Sequence, residues 1–145
     1  MELERIIIMN NNELFHAWIN LTKYHDRILK TLDYTLQNQF QLGIKEFYLM
    51  YYLAQSEHKK MNLSDLVPKV SLSHSALSRL VTRLEQYRAG ALVKRQTSVN
   101  DKRSVEIFLM RKGEETFHEM QMLINDRLQS QMSEKDIQNI KRLVE

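Results

Sequence analysis

A chain of 145 residues has the size of one domain with one main core, and 43% hydrophobic with 27% charged residues is ordinary for a globular fold in water. With no cysteine it excludes disulfides, thiolate metal sites and cysteine redox sensing. A net charge of +3 permits a nucleic-acid partner without demanding one, and only three Gly and one Pro favour long helices over a turn-rich sheet fold.

The first apolar run, Ile6-Ile7-Ile8-Met9, is too short for a signal-peptide core or a membrane span, so a cytoplasmic protein with no membrane partner is expected. From about Asn12 to Gln39, Leu14, Trp18, Leu21, His25, Ile28, Leu32 and Leu36 recur at helical spacing. Phe15, Thr22 and Leu29 lie beside that stripe. A helix of this length is hard to bury within one small domain and points to packing against a second subunit. Gly43 suits a helix C-cap. Lys45 to Gln55 then reads as a buried helix, apolar nearly all round, followed by a polar connection through Lys60.

Asn62-Leu63-Ser64-Asp65 has the pattern of a capped helix start, with Leu63, Leu66, Val67 and Val70 facing inward and Pro68 late enough to be tolerated. Ser73 is positioned to cap the next helix, which is expected to run to about Tyr87. Its inward face is Ala76, Leu77, Leu80, Val81 and Leu84, and its outward face is His74, Ser75, Ser78, Arg79, Thr82, Arg83 and Gln86. Leu92 to Gln96 and Arg103 to Leu109 read as two strands joined by a polar connection with an Asn100-Asp101 turn. Lys112 to about Gln131 is a long helix, and Ser133 caps a last amphipathic one.

Two helices, a short turn, an Arg-bearing helix and a basic hairpin form a winged helix-turn-helix. An outward face of Arg, Ser and Thr suits base edges in the major groove, where Arg bonds guanine bidentately. From Arg88 to Lys112, seven Lys/Arg stand against two acids, a local surplus of five that exceeds the +3 of the whole chain. Cations concentrated on a protruding hairpin suit phosphate contact, and an arginine at its tip suits the minor groove. The expected DNA-contacting residues are Ser73, His74, Ser75, Ser78, Arg79, Thr82, Arg83, Lys94, Arg95, Asp101, Lys102 and Arg103.

Leu63-Ser64-Asp65-Leu66, Leu77-Ser78-Arg79-Leu80-Val81-Thr82-Arg83-Leu84-Glu85, Asp101-Lys102-Arg103-Ser104 and Leu109-Met110-Arg111-Lys112-Gly113 resemble the DNA-binding core of the multiple-antibiotic-resistance regulator (MarR) family. The staphylococcal accessory-regulator proteins are close relatives in fold. The resemblance implies a mostly α fold: a winged helix-turn-helix domain with a small β-hairpin wing, flanked by N- and C-terminal dimerisation helices. It implies a single domain over 1–145, with dimerisation helices at 12–40 and 112–145 and the winged DNA-binding part at 44–111. It further implies a homodimeric repressor on a pseudo-palindromic operator in double-stranded DNA, with Arg103 in the minor groove and Asp101 orienting it. A small aromatic or anionic effector would bind between the dimerisation helices and the winged part. Two departures stand out. The segment Gln86-Tyr87-Arg88-Ala89-Gly90-Ala91 is longer than the family's, which would extend the recognition helix. Met110 replaces the usual Thr, leaving the next helix without a side-chain cap.

Glu114 and His118 share a helix face, but no compact set of three or four metal ligands stands out, so the five histidines read as surface or core residues. Trp18, Tyr24, Tyr34, Tyr48, Tyr51 and Tyr52 are candidates for an effector pocket, although aromatics on helices more often serve core or interface. No nucleophile elbow, phosphate-binding Gly loop or metal motif is present, so neither enzyme activity nor a cofactor is expected. The alternative is a helical protein-interaction module with a degenerate winged domain.

Overall fold

A computed structural model of the chain describes residues 11–97 and 104–145. The N-terminal apolar run and the turn expected at Asn100-Asp101 lie outside the described residues.

Helix α1 spans Asn11–Phe40. Its C-terminal half carries Ile28, Leu32, Leu36 and Phe40 into the core at four-residue spacing. Its N-terminal half is different: Leu14, Phe15, Trp18 and Leu21 stay 71%, 59%, 63% and 44% exposed. The helix ends at Gln41, which adopts the left-handed conformation (φ 56°) and donates its N–H to Gln37 O. Gly43 is therefore not the C-cap expected from the sequence; it is extended and serves as the N-cap of helix α2, Ile44–Gln55. Two carboxylates hold this junction. Asp33 Oδ1 accepts from Ile44 N at 2.9 Å, and Glu46 Oε2 accepts from Gly43 N at 3.0 Å. Ile44, Phe47, Leu49, Met50 and Leu53 are buried, whereas Tyr51 remains on the surface.

A short 3-10 turn at Glu57–Lys59 leads to strand β1, Lys60–Asn62, where only a polar connection was expected. Helix α3, Leu63–Val70, buries Leu63, Leu66 and Val70. Its end is secured from α2, where Lys45 Nζ donates to Val70 O at 2.8 Å. Asn62 stands at the N-cap but makes no side-chain cap bond; its Oδ1 accepts instead from Ser104 Oγ at 3.0 Å. The cap expected of Asn62 is thus replaced by a tie to the base of the hairpin.

Helix α4, His74–Glu85, starts where Ser73 Oγ accepts from Ala76 N at 3.2 Å, and buries Leu77, Leu80, Val81 and Leu84. Strands β2, Val93–Thr97, and β3, Val105–Leu109, pair antiparallel, and β1 pairs with the far side of β3, giving the order β1-β3-β2. Met61, Ile107 and Arg95 align across the sheet, as do Lys60, Phe108 and Lys94 on the opposite face. Fully buried Ile107 joins the sheet to the helical core.

Helix α5, Arg111–Gln131, begins at Met110 without a side-chain cap. It packs on α1 and α2, stacking Phe117 on Phe47 with ring centroids 5.2 Å apart. Helix α6, Glu134–Val144, is capped by Ser133 Oγ, which accepts from Asp136 N at 3.1 Å. Tyr24 OH reaches Asp136 Oδ2 at 3.4 Å and links α6 to α1. Leu143 and Val144 at its end remain 73% and 75% exposed.

Candidate nucleic-acid interface

Helices α3 and α4 with the turn between them form the helix-turn-helix, and β2 and β3 form the wing. Apolar spacing rotates α4 so that its leucines meet the core and its polar face meets solvent. His74, Ser75 and Arg79 are exposed there, with Arg79 projecting from the middle of the helix. Among the described residues Arg79 has no ion pair, so its guanidinium is available to an outside acceptor. Ser73 is occupied as the cap, and its hydroxyl lies 3.4 Å from Ser75 Oγ.

The other polar residues of α4 are tied inward. Arg95, on β2, bends its side chain back onto the helix. Its Nη1 donates to Glu85 Oε1 at 2.6 Å and to Thr82 Oγ1 at 3.1 Å. Its Nη2 donates to Ser78 Oγ at 2.9 Å and also to the Ser78 carbonyl. Glu85 Oε2 accepts from the Arg95 backbone N–H at 3.2 Å, satisfying a donor on the free edge of an edge strand. Both charged side chains are less than a third exposed (29% and 28%), so this clamp is better shielded from water than a surface ion pair.

Arg83 is held differently. Its Nη2 donates to Glu46 Oε1 at 3.1 Å, yet its side chain stays 63% exposed while Glu46 is 9% exposed. One face of the guanidinium thus anchors α4 to the α1–α2 junction, and the rest faces solvent. Lys94 is exposed, its Nζ 5.4 Å from the Phe108 ring centroid, and Lys60 Nζ approaches the same ring at 5.5 Å. Asp101, Lys102 and Arg103 lie outside the described residues.

Sequence reasoning missed Glu85, Glu46 and Phe108 as parts of this surface. Glu85 and Arg95 meet because the chain turns between them, and no helical or strand spacing announces that meeting. The longer segment after α4 does not extend the helix, which ends at Glu85 rather than near Tyr87. Residues 87–90 close a turn, Gly90 N donating to Tyr87 O at 3.0 Å, with Gly90 at φ 123°. Leu92 N then bonds back to Leu84 O at 3.0 Å, so the wing starts beside the last turn of α4. Tyr87 OH donates to Phe40 O at 2.7 Å and Arg88 Nη2 to Gln41 Oε1 at 3.3 Å, fastening the segment to the end of α1.

Of the six aromatics considered for an effector, Tyr48, Tyr51 and Tyr52 share one open cleft with Phe47, facing Ile124 and Leu128 of α5. Its volume of about 320 Å³ is at the lower end of small-molecule sites. Burial, then the neighbouring Tyr52, pushes the Tyr48 phenol above its ordinary pKa. Tyr24 lines a separate cleft with Asp136 and Leu143, Tyr34 another with Asp33, and Trp18 is exposed. Among the described residues no group of three His, Asp or Glu is placed to hold a metal ion, and no helix is long and apolar enough to cross a membrane.

No curated protein matches the chain. Solved structures do. A MarR family transcriptional regulator from Streptomyces coelicolor, Sco3205, solved in complex with DNA, superposes with a TM-score of 0.77 at 20% identity, covering 92% of this chain and 84% of its own. AbsC, another MarR family regulator from Streptomyces coelicolor, gives 0.75 at 23% identity, covering 94% and 92%. BpsR of Bordetella bronchiseptica, whose DNA binding is regulated by 6-hydroxynicotinic acid, gives 0.70 at 17% identity, covering 89% and 96%. These likenesses establish the winged-helix fold of MarR regulators. The transcriptional regulator SarA/Rot family matches residues 31–120, from the second half of α1 through the helix-turn-helix and wing into α5. The chain belongs to the SarA/Rot family of transcriptional regulators, and it carries out that role on a MarR-type winged helix-turn-helix.

Proposed function

We propose that the chain acts as a homodimer that reads a pseudo-palindromic operator in double-stranded DNA and represses transcription from it. The observation that carries this reading is α4 itself: Arg79 stands exposed and unpaired among the described residues, with His74 and Ser75 beside it, on a helix locked to the wing. Arg79 takes the base-reading role, His74 and Ser75 contact bases or phosphates, and Arg83 and Lys94 supply phosphate contacts. Ser73 adds its backbone at the helix start. Arg103, oriented by Asp101 and assisted by Lys102, enters the minor groove. The exposed apolar faces at the start of α1 and the end of α6 support a dimer that covers them. Two-fold symmetry with one helix per major groove sets half-sites about one turn, ~10 bp, apart.

The dimerisation helices occupy 12–40 and 112–145, and the winged part 44–111, of one domain spanning 1–145. The protein works in the cytoplasm and is a regulator rather than an enzyme. The aromatic cleft between α2 and α5 takes a small aromatic or anionic effector that releases DNA, a reading supported by its tyrosines and by the effector control of BpsR.

Salt-titrated binding to duplex DNA tests the proposal. Wild type is expected to lose affinity steeply with salt. Arg79→Ala is expected to lose about 1–3 kcal/mol on the preferred sequence while keeping its affinity for arbitrary DNA. Equal, salt-insensitive behaviour of the two proteins would contradict it.

A further inference from the structure

Of the two cations on β2, Arg95 does not face outward. Arg95 spends its guanidinium on Glu85, Thr82 and Ser78, and its backbone N–H on Glu85 as well. Thr82 Oγ1, while accepting from Arg95, donates to Ser78 O at 3.1 Å. Three residues of the reading helix and one of the wing therefore form a closed polar network. It sits on the Met61–Ile107–Arg95 row of the sheet, the face turned towards the core, and not on the Lys60–Phe108–Lys94 face.

The clamp also bridges the connection between α4 and β2. Glu85 ends α4, Arg95 is the third residue of β2, and the turn at 87–90 lies between them. A longer connection leaves the relative position of its ends less determined. Two contacts at its mouth, Leu92 N to Leu84 O and Arg95 to Glu85, restore that determination.

We propose that Arg95 is a positioning residue that sets the wing against the recognition helix, and that Ser78 and Thr82 serve this clamp instead of reading bases. The proposal rests on the DNA-binding reading of α4. It follows that base reading concentrates on the exposed residues His74, Ser75 and Arg79. It follows too that Glu85, an acid on a DNA-facing element, supports binding despite its charge. A guanidinium is needed because its planar fork spans a carboxylate and two hydroxyls at once, which a lysine ammonium cannot do.

The test uses full-length wild type, Arg95→Gln, Arg95→Lys, Glu85→Gln and the Arg95→Gln/Glu85→Gln double variant. Each is titrated with the duplex that wild type selects from a random library and with a mixed-sequence duplex, over a range of salt. The expected result is a roughly tenfold or greater loss on the selected duplex for all three single variants. Binding to mixed sequence should change little, and Arg95→Gln and Glu85→Gln should alter the salt slope equally, because both act through the placement of the wing. The double variant should be no worse than the worse single, because both break one network. Arg95→Lys keeps the charge, and thermal melting checks that it folds. The proposal is overturned if Arg95→Gln reduces the log–log salt slope by about 0.9, one phosphate contact, while Glu85→Gln leaves it unchanged. It is equally overturned if Arg95→Lys restores binding, or if Glu85→Gln strengthens binding to every duplex by releasing a cation. If wild type itself binds no duplex, the DNA-binding reading fails first and the positioning role falls with it.

Discussion

Substituting Gly113 by Ala probes the joint between the wing and the long helix α5. An added Cβ would lie 2.1 Å from Leu92 O and 2.7 Å from Leu109 Cδ1. The first of these is a backbone atom, and it already accepts Met110 N at 2.9 Å, so it has little room to move. Overpacking of this kind costs about 1–3 kcal/mol, here at the upper end because backbone must shift. Weakening the Met110 hydrogen bond adds about 1 kcal/mol. Replacing Gly by Ala within a helix returns about 1 kcal/mol. The net expectation is a loss of about 2–3 kcal/mol, or a melting temperature roughly 5–12 °C lower. Thermal and urea unfolding should be followed by circular dichroism at one fixed protein concentration, because self-association of the kind proposed makes the melting temperature move with concentration. Gly90→Ala is the matched comparison: its nearest neighbour would be Lys112 Cγ at 3.9 Å, so only its φ of 123° opposes a side chain. That backbone cost is about 1–3 kcal/mol. A Gly113→Ala protein as stable as wild type would refute the account of this joint.

Three further outcomes follow from the packing. Replacing exposed Trp18 and Leu21 by Glu should halve the sedimenting mass while leaving the helical spectrum intact; an unchanged mass would place the subunit interface elsewhere. Burial chiefly, with Glu119 adding and Arg88 opposing, raises the Tyr87 pKa. The folded state therefore holds this proton more tightly than the unfolded chain does. Stability is full below the ordinary tyrosine range and is lost as pH rises through the folded value. Urea unfolding at increasing alkaline pH should show that loss, and Tyr87→Phe should flatten it while costing about 1 kcal/mol at neutral pH through the bond to Phe40 O. Glu46→Gln removes the partner of Arg83, but because that arginine is 63% exposed and returns to water, the cost should be about 1 kcal/mol rather than that of a stranded buried charge. A loss of several kcal/mol in unfolding would contradict this reading of the Arg83 environment.

The parts of the fold legible in the sequence are those with repeating physics. Leu32 and Leu36 announce α1 by period, Ser73 and Ser133 announce helix starts by their hydroxyls, and alternation across Val105, Ile107 and Leu109 announces β3. What escaped was decided by distant partners. Strand β1 has three residues, too few to show a period, and exists because β3 pairs with it. Asn62 looks like a cap, yet Ser104 competes for its oxygen from the hairpin. Gln41 takes the left-handed cap position because Gly43 is engaged at the start of α2. The end of α4 fell at Glu85 because Leu92 N takes the Leu84 carbonyl that another helical turn would use. For the candidate site, exposure of His74, Ser75 and Arg79 followed from the helical wheel. The engagement of Ser78, Thr82 and Arg95 with one another depended on where the wing folds back, which side-chain type alone does not reveal.

The most direct measurement is selection from a library of random DNA duplexes by wild type beside Arg103→Ala, at two salt concentrations. Wild type should enrich an inverted repeat with half-sites about one helical turn apart, and its binding should weaken as salt rises. Arg103→Ala should bind much more weakly with its dimer intact. A wild-type protein that enriches no sequence and ignores salt would contradict the account and direct attention to protein partners of its exposed helices.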